Sequence, residues 1–528
     1  MRLLLFLFSL TSTAIAHAAK PNVLFVISDD LNTALSGLGH PECKTPYLDR
    51  FAETGVTFTR AFCQFPLCGP SRASIMSGQY PIVNGVTGNG GHLNPQRMTL
   101  PRYFGSRGYW NARVSKIFHM GIPIDIVQGT PGRDHAPSWA EAHNIRALET
   151  LTPGKVANFT EPEVVAEYPR LREQWHAVKP GDKNYSMPRS VRGDFAVVEV
   201  ADRDASLLPD TLAADKAIGL LRQRAGQKQP FFLAVGFVRP HFPFISTESS
   251  LRPYDPETTA LPKFPSDDQA DIPAQAIAKD MNLADDAVRQ LRRGYYGAVS
   301  FMDEKFGRLM AELDRLKLRD NTIVVFVSDH GYLLGEHRMW KKTRLWEEAI
   351  RTPLIISAPG RARGVRCNRV VELVDLYPTL AELAGLPPEP GTQGQSLVPL
   401  LENPKAKLAR NDAWIYTGRG HGLRTERWAF LWYPAKRNRQ EAFMLYDMKS
   451  DPGQFTNLAA DPRYAGIKTR LHSRLPAASQ SGRPSAAGAR RNGYMTPYTH
   501  IGKQWTQSTT RKTLAAESID SAGTSSTW

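Results

Sequence analysis

Four short segments of this chain carry residue types that could do chemistry together. Three are apolar runs that end in polar clusters: Asn22–Ser28 leads into Asp29-Asp30, Phe231–Phe237 into Arg239-Pro240-His241, and Thr322–Ser328 into Asp329-His330-Gly331. In open α/β sheets, ligands gather beyond the carboxyl ends of the strands. Carboxylates delivered there suit a hard divalent cation, which takes several oxygen ligands. One aspartate at a strand end is ordinarily a cap or turn residue. Asp29, Asp30 and Asp329 together read as a metal site. The fourth segment is Cys68-Gly69-Pro70-Ser71-Arg72, with a cysteine just before a proline that suits a helix start. A helix N-terminus favours anions. A nucleophile at Cys68 would therefore face the charge developing on an attacked ester, with Arg72 placed to neutralise it. A buried structural cysteine is the competing reading, being the common fate of this residue type. The spacing leaves both open.

The elements that must position these residues follow from the hydrophobic pattern. Asn22–Ser28, Phe231–Phe237, Thr322–Ser328 and Pro353–Ser357 are continuous apolar runs, as expected of buried strands in a parallel sheet. Thr45-Pro46 opens a helix toward Thr54, with Thr45 as its N-cap. Leu212–Arg224 has helical spacing, and Asp286–Leu316 reads as two helices or one broken near Gly294–Gly297. Val371–Ala384 reads as another helix. Strands alternating with helices predict a layered α/β domain. Residues 121–205 are Pro/Gly-rich and irregular, as in a lid or substrate wall. Beyond about residue 405, Ala413–Thr417, Gly422–Tyr433 and Ala442–Tyr446 predict short antiparallel strands. The expected organisation is a leader over 1–18, a catalytic domain over 19–404, a C-terminal antiparallel subdomain over 405–476 and a disordered tail over 477–528.

Composition narrows the function classes. Of 528 residues, 41 % are hydrophobic and 22 % charged, which excludes disorder of the whole chain. No internal apolar run reaches the ~18 residues a span needs, so stable membrane insertion is not expected. Four cysteines (Cys43, Cys63, Cys68 and Cys367) are too few for a disulfide-built scaffold. Arg2, the apolar stretch Leu3–Leu10 and the small residues of Ala14-Ile15-Ala16 or Ala16-His17-Ala18 read as an export signal. The mature chain is then expected in a periplasmic, extracellular or lysosome-like compartment. Lys and Arg outnumber Asp and Glu by 66 to 51, which favours polyanionic partners. Nucleic acid is set aside, because no helix-turn-helix or finger pattern accompanies the charge.

The segment CGPSRASIMSG, from Cys68 to Gly78, resembles the C-x-P-S-R signature of the type I, formylglycine-dependent sulfatases of the alkaline phosphatase superfamily. Other blocks share the resemblance. They are NVLFVISDD, TPYLDRFAETGVTFTRAFCQFPLCGPSR, Ser115-Lys116-Ile117-Phe118-His119, SDHGYLLGEHRMWKKTRLWEE and LYDMKSDPGQFTNLA, together covering about residues 20–475. Asp329-His330, Lys116-x-x-His119 and the FFLAVG run before Pro-His resemble the iduronate-2-sulfatase branch. Two positions depart from the pattern: Ser115 where the family usually has Gly, and Arg239 where the branch usually has Lys. Arginine does not replace lysine at a tight anion site.

The resemblance implies a fold with a large mixed sheet between helices and a smaller C-terminal antiparallel sheet. It implies that a formylglycine-generating enzyme oxidises Cys68 to Cα-formylglycine. One hydroxyl of the aldehyde hydrate would attack sulfur and the other would later expel sulfate. Asp29, Asp30, Asp329 and His330, with residue 68, would hold one divalent cation acting as a Lewis acid. Ca2+ is the family's usual ion, whereas imidazole is an uncommon calcium ligand, which keeps magnesium and manganese open. Arg72, Lys116 and Lys342 match the cationic positions; Trp340 sets the Trp-x-Lys register that selects Lys342 over Lys341. His119 would orient or tune the nucleophile and His241 would protonate the leaving alcohol. The implied substrate is a sulfated carbohydrate, such as 2-O-sulfated uronic residues of a glycosaminoglycan. The alternatives are a phosphonate or phosphate monoester hydrolase, or a silent glycan-binding protein if Cys68 stays a thiol. Weaker candidates are Glu336 and His337 as supports of the metal residues, and His421 and Arg424 as substrate contacts or strand caps. Trp340, Trp346 and Tyr332 are sugar platforms or core.

Overall fold

The computed structural model describes residues 20–178, 192–278, 281–436 and 438–475. The expected leader and tail lie outside the described residues. An eight-stranded sheet is built from β1 (Asn22–Asp29), β2 (Val56–Phe62), β3 (Trp110–Ser115), β4 (Glu141–His143), β7 (Phe231–Pro240), β9 (Thr322–Ser328), β12 (Arg351–Ser357) and β13 (Val365–Glu372). Its order is β13-β2-β12-β9-β1-β7-β3-β4. The remaining strands form a three-stranded sheet of β5 (Lys155–Asn158), β6 (Ala196–Val200) and β8 (Phe244–Thr247), and a β10 (Leu333–Leu334)–β11 (Trp340–Lys341) pair. The C-terminal sheet runs β14 (Asp412–Tyr416), β15 (His421–Thr425), β16 (Trp428–Tyr433) and β17 (Ala442–Asp447), antiparallel throughout.

Alternation along β1 explains the layering. Val23, Phe25 and Ile27 enter a core shared with Ile75, Leu376 and the C-terminal sheet residues Ile415 and Leu431. Leu24 and Val26 enter a second core with Ala217, Leu221, Val299 and Phe306, from the helices Pro209–Arg224 and Asp285–Arg315. A strand covered on both faces has no reason to alternate polar with apolar, hence the continuous runs. Three of the four predicted runs, in β9, β1 and β7, are parallel to one another. Pro353–Ser357 is the exception: it lies in β12, antiparallel to both β2 and β9, and is equally buried.

Other expectations need correction. The helix at 285–315 is unbroken. Gly294 and Gly297 instead permit close approach, since a Cβ on them would meet Val197 and Leu251 at 2.6 and 2.5 Å. Val371 and Glu372 belong to β13, and the helix begins only at Leu376. Thr45 does not cap the helix Pro46–Ala52; the Asp303 carboxylate does so from another helix, accepting from Tyr47 and Leu48 N–H at 3.0 and 2.7 Å. The expected irregular stretch at 121–205 contains β4, β5, β6 and the helix Tyr168–Ala177 among its described residues. Among the described residues all four cysteines are buried and free, and no helix is long and apolar enough to cross a membrane.

Candidate active site

β9, β1, β7 and β3 are adjacent and parallel, so their carboxyl ends open on one edge of the sheet. They deliver Asp329-His330, Asp29-Asp30, Arg239-His241 and Lys116-His119 there in that order. β2 runs in the same sense, being antiparallel to β12 as β9 is. It feeds the helix Cys68–Ser77, whose first residue is Cys68. The cysteine is buried at the sheet's edge and its N-terminal helix turn faces the aspartates.

The Cys68 Sγ lies 3.1 Å from Lys342 Nζ, 3.4 Å from His330 Nε2 and 3.8 Å from Asp30 Oδ1. Lys342 also reaches Asp30 Oδ1 at 2.5 Å, and Lys116 Nζ reaches Asp29 Oδ2 at 2.5 Å. His330 Nε2 is 3.3 Å from Asp30 Oδ1 and 3.7 Å from Asp329 Oδ2. His241 Nε2 lies 3.7 Å from Asp30 Oδ2. One potential ligand atom from each of Asp29, Cys68, Asp329 and His330 falls within 4.8 Å of the others, and the same holds for Asp29, Asp30, Cys68 and His241. Hard carboxylate oxygens converging with one imidazole on a shared point form a donor set that fits a divalent cation. The second set adds His241 to the residues able to reach such an ion.

Arg72 is fully buried, and its polar contacts all point into the protein. Nε donates to Asp329 Oδ2 (2.7 Å), Nη2 to Asp29 Oδ1 (3.3 Å), and Nη1 to the carbonyls of Lys116 (2.5 Å) and Ile117 (3.2 Å). It therefore braces the carboxylates, where the sequence suggested a group facing the ester. Arg239 is likewise occupied: Nη2 meets Glu149 at 2.5 Å and Nη1 donates to the carbonyls of His241 and Pro243. The Arg-for-Lys departure thus supplies a clamp on the His241 loop, with Nη2 on the Glu149 carboxylate and Nη1 on two carbonyls, a spread that a planar fork suits better than a single ammonium nitrogen. Ser115 adopts φ +59°, the left-handed backbone that glycine takes without cost, which accounts for the family's usual residue.

The electrostatics follow from burial against charge. Burial and Asp29 push the Cys68 thiol up, but Lys116 and Lys342 outweigh them and hold it below its ordinary value. Burial disfavours the charge on Lys342, yet Asp30 and Cys68 keep it firmly protonated. Burial also opposes the Asp29 charge, and Lys116 and Arg72 overcome it, leaving that carboxyl well below its usual range. His330 is pushed up to about 9 by Asp329 and Cys68 against burial. His119 is pushed down to about 3 by burial and Lys116, and His241 to about 3 by burial, with Asp30 opposing. Lys342 and His241 retain 15 % and 17 % side-chain exposure, against 0 % for Asp29, Arg72 and Lys116, so they mark the open side.

Sequence reading missed several supports. Tyr295 OH donates to the Asp30 carbonyl (2.9 Å), Asn89 Oδ1 accepts from Gly69 N–H (2.9 Å), and Ser328 Oγ accepts from Leu31 N–H (3.0 Å). Ser328 stands in a motif already singled out; Tyr295 and Asn89 had no signal. The weaker candidates sort elsewhere. Glu336 pairs with Arg292, while His337 pairs with Asp268 and stacks on Trp346, so neither touches the metal residues. Arg424 pairs with Glu347, and His421 stacks on Trp432 and meets Tyr416 edge-on. Trp340, Trp346 and Tyr332 are buried core.

Comparison with known proteins agrees with this layout. The model of the family described as "Sulfatase" matches residues 21–386, and that described as "N-sulphoglucosamine sulphohydrolase, C-terminal" matches residues 335–481. The chain is 29 % identical over 476 residues to a "Sulfatase" of Formosa agariphila, covering 87 % of this chain and 86 % of that protein. It is 30 % identical over 410 residues to the "Iduronate 2-sulfatase" of Homo sapiens, covering 69 % of each. Among solved structures, the phosphonate monoester hydrolase of Silicibacter pomeroyi shares the fold with a TM-score of 0.69 at 23 % identity, covering 90 % of this chain and 96 % of that one. The family match embraces every strand whose carboxyl end supplies the cluster around Cys68, and the chain belongs to the sulfatase family of the alkaline phosphatase superfamily.

Proposed function

We propose that this sulfatase hydrolyses sulfate esters of a sulfated carbohydrate, with 2-O-sulfated uronic residues as the favoured target. The observation that carries the reading is Cys68 itself: it sits where three aspartates, His330 and Lys342 converge, on the open side of the strand ends. Cys68 in the formylglycine form would supply a hydrated aldehyde as nucleophile. A divalent cation held by Asp29, Asp30, Asp329 and His330, Ca2+ by family preference, would polarise sulfate oxygens.

The chain's own residues do the rest. Arg72 and Lys116 fix the carboxylates. Lys342, at the opening, meets the charge that spreads over the sulfate in the transition state. His119, beside Lys116, orients or tunes the nucleophile. His241 donates a proton to the leaving alcohol; its Nδ1 lies 2.6 Å from the Phe242 carbonyl, which fixes the ring and leaves Nε2 to face the site. The arriving sulfate ester adds negative charge beside an imidazole that burial otherwise keeps neutral, favouring its protonated form. Export through a leader at 1–18 belongs to the same reading. So does the division of a catalytic domain (19–404) from a C-terminal subdomain (405–476), supported by the separate β14–β17 sheet.

The test is the mass of the proteolytic peptide from Ala61 to Arg72, taken from protein made in its native host. A shift from thiol to aldehyde or hydrate at residue 68 is expected, together with sulfate release from a panel of sulfated saccharides. An unmodified thiol in protein that still binds sulfated glycans would replace hydrolysis by the binding reading. Equal turnover of a phenyl phosphonate and an aryl sulfate would replace it by the phosphonate hydrolase reading.

A further inference from the structure

Charge around the C-terminal sheet is largely matched. Arg424 pairs with Glu347, Arg427 with Asp447, Arg410 with Glu372 and Asp375, and Arg474 with Asp412. One corner departs from this. Arg344 lies two residues after Lys342, and the intervening Thr343 N–H donates to the Pro66 carbonyl (2.9 Å), two residues before Cys68. The half-buried Arg344 guanidinium finds only carbonyl and hydroxyl acceptors at 3.2–3.5 Å, on Thr343 and Ile277. Its Nε is buried without an acceptor. Arg419 stands exposed in the turn between β14 and β15, and Lys436 Nζ donates to Gly418 O in that turn (2.9 Å). Among the described residues no carboxylate pairs with Arg344, Arg419 or Lys436.

The turn is held in place. The Thr417 hydroxyl accepts from the N–H groups of Arg419 (3.2 Å) and Gly420 (2.9 Å), and a Cβ on Gly420 would come within 2.6 Å of the Tyr433 ring. The segment after Lys342 packs on the same hairpin, since a Cβ on Gly422 in β15 would meet Leu345 Cδ2 at 3.5 Å; Tyr433 accordingly feels both Arg344 and Arg419. Burial and the repulsion of Arg419 both disfavour the charge on Arg344. Arg419 and Lys436 are exposed to water, so the cost of missing counter-charge falls on the half-buried Arg344, beside the segment that carries Lys342, and an arriving anion would offset it.

We infer that Arg344 and Arg419, with Lys436 bracing the turn, form a second anion subsite. It takes a further sulfate or carboxylate of the saccharide whose sulfate ester lies at residue 68. This rests on the sulfated-carbohydrate reading above and makes the preferred substrate a multiply anionic glycan.

The experiment titrates a heparin tetrasaccharide into the full chain by calorimetry and measures 4-nitrophenyl sulfate hydrolysis alongside. The double variant R344Q/R419Q is expected to raise the Kd at least tenfold while hydrolysis of the small ester stays within twofold. The control K20Q/K228Q removes two charges that precede β1 and β7, at the opposite edge of the sheet, and is expected to change the Kd less than twofold. A carboxyl-reduced tetrasaccharide assigns the subsite: discrimination that persists points to sulfate, and discrimination that disappears points to carboxylate. Equal weakening by both double variants, an unchanged Kd, no binding by the parent, or parallel loss of binding and small-ester hydrolysis each overturns the subsite. Selective weakening in a protein that releases no sulfate would instead remove the hydrolase reading and leave the subsite standing.

Discussion

Two buried ion clusters in this molecule look alike by composition and differ in use. One brings Arg72 and Lys116 to Asp29 and Asp329 beneath Cys68. The other brings Arg410 to Glu372 and Asp375, where the catalytic body meets the C-terminal sheet. In the second, every carboxylate has local donors: Tyr80 OH and Trp414 N–H on Glu372, and Gln395 and Glu372 N–H on Asp375. Both carboxylates are sealed from solvent and satisfied, while Arg410 Nε is buried without an acceptor. In the first, three aspartates, an imidazole and the thiol converge, with Lys342 and His241 half-opening the cluster to solvent. Burial of charge therefore does not mark the functional cluster. Convergence of ligand atoms on a shared, reachable point does.

Variants of the two clusters should separate activity from stability. Cys68→Ala is expected to remove sulfate release by at least about 10³-fold, equivalent to ~4 kcal/mol of transition-state stabilisation, while the unfolding midpoint barely moves. Steady-state hydrolysis beside a thermal melt checks both. Arg410→Met should do the opposite. It leaves Glu372 and Asp375 buried and unpaired, at a cost of about 3–5 kcal/mol, while molecules that remain folded keep their turnover. Loss of turnover at full folding would break the distinction drawn between the clusters.

Removing divalent cations with a chelator is expected to abolish hydrolysis and lower the unfolding midpoint, with a stability loss of ~3 kcal/mol relative to metal at about 100 times its Kd. Re-addition of Ca2+ should restore both. In Asp30→Asn the midpoint should respond less to chelation, whereas in Arg410→Met it should respond as in the parent. The smallest effect concerns Ser115. Replacement by glycine relieves the left-handed backbone but loosens the unfolded chain, and the two terms nearly cancel. A stability change under about 1 kcal/mol with turnover within twofold is expected; a large loss would mean the serine hydroxyl contributes to the site.

Much of this was legible in the sequence, for identifiable reasons. A strand covered on both faces must be apolar throughout, so Asn22–Ser28, Phe231–Phe237 and Thr322–Ser328 announce themselves. The polar residues that follow them then fall at the sheet's carboxyl edge. What was not legible depends on long-range contact. The pattern of Val371–Ala384 cannot tell a buried strand end from a helix, and Gly294 and Gly297 look like breaks until Val197 and Leu251 are seen packed against them. Residues 121–205 looked structureless because β5 and β6 are short and find their third partner, β8, only after residue 243.

The sequence by itself determined the family, the cysteine and the set of charged residues around it, since local motifs specify residue types at strand and helix ends. Only the tertiary structure decided how each charge is used. Arg72 carries the guanidinium that the motif offered for the ester, and Arg239 stands where the branch usually has Lys, yet both turn inward, onto Asp29, Asp329, Glu149 and backbone carbonyls. Arg344 and Arg419, 75 residues apart and assigned no role by any motif, are left without a carboxylate partner among the described residues. A side chain's partner depends on what the fold brings within hydrogen-bonding distance, and spacing along the chain carries no record of that.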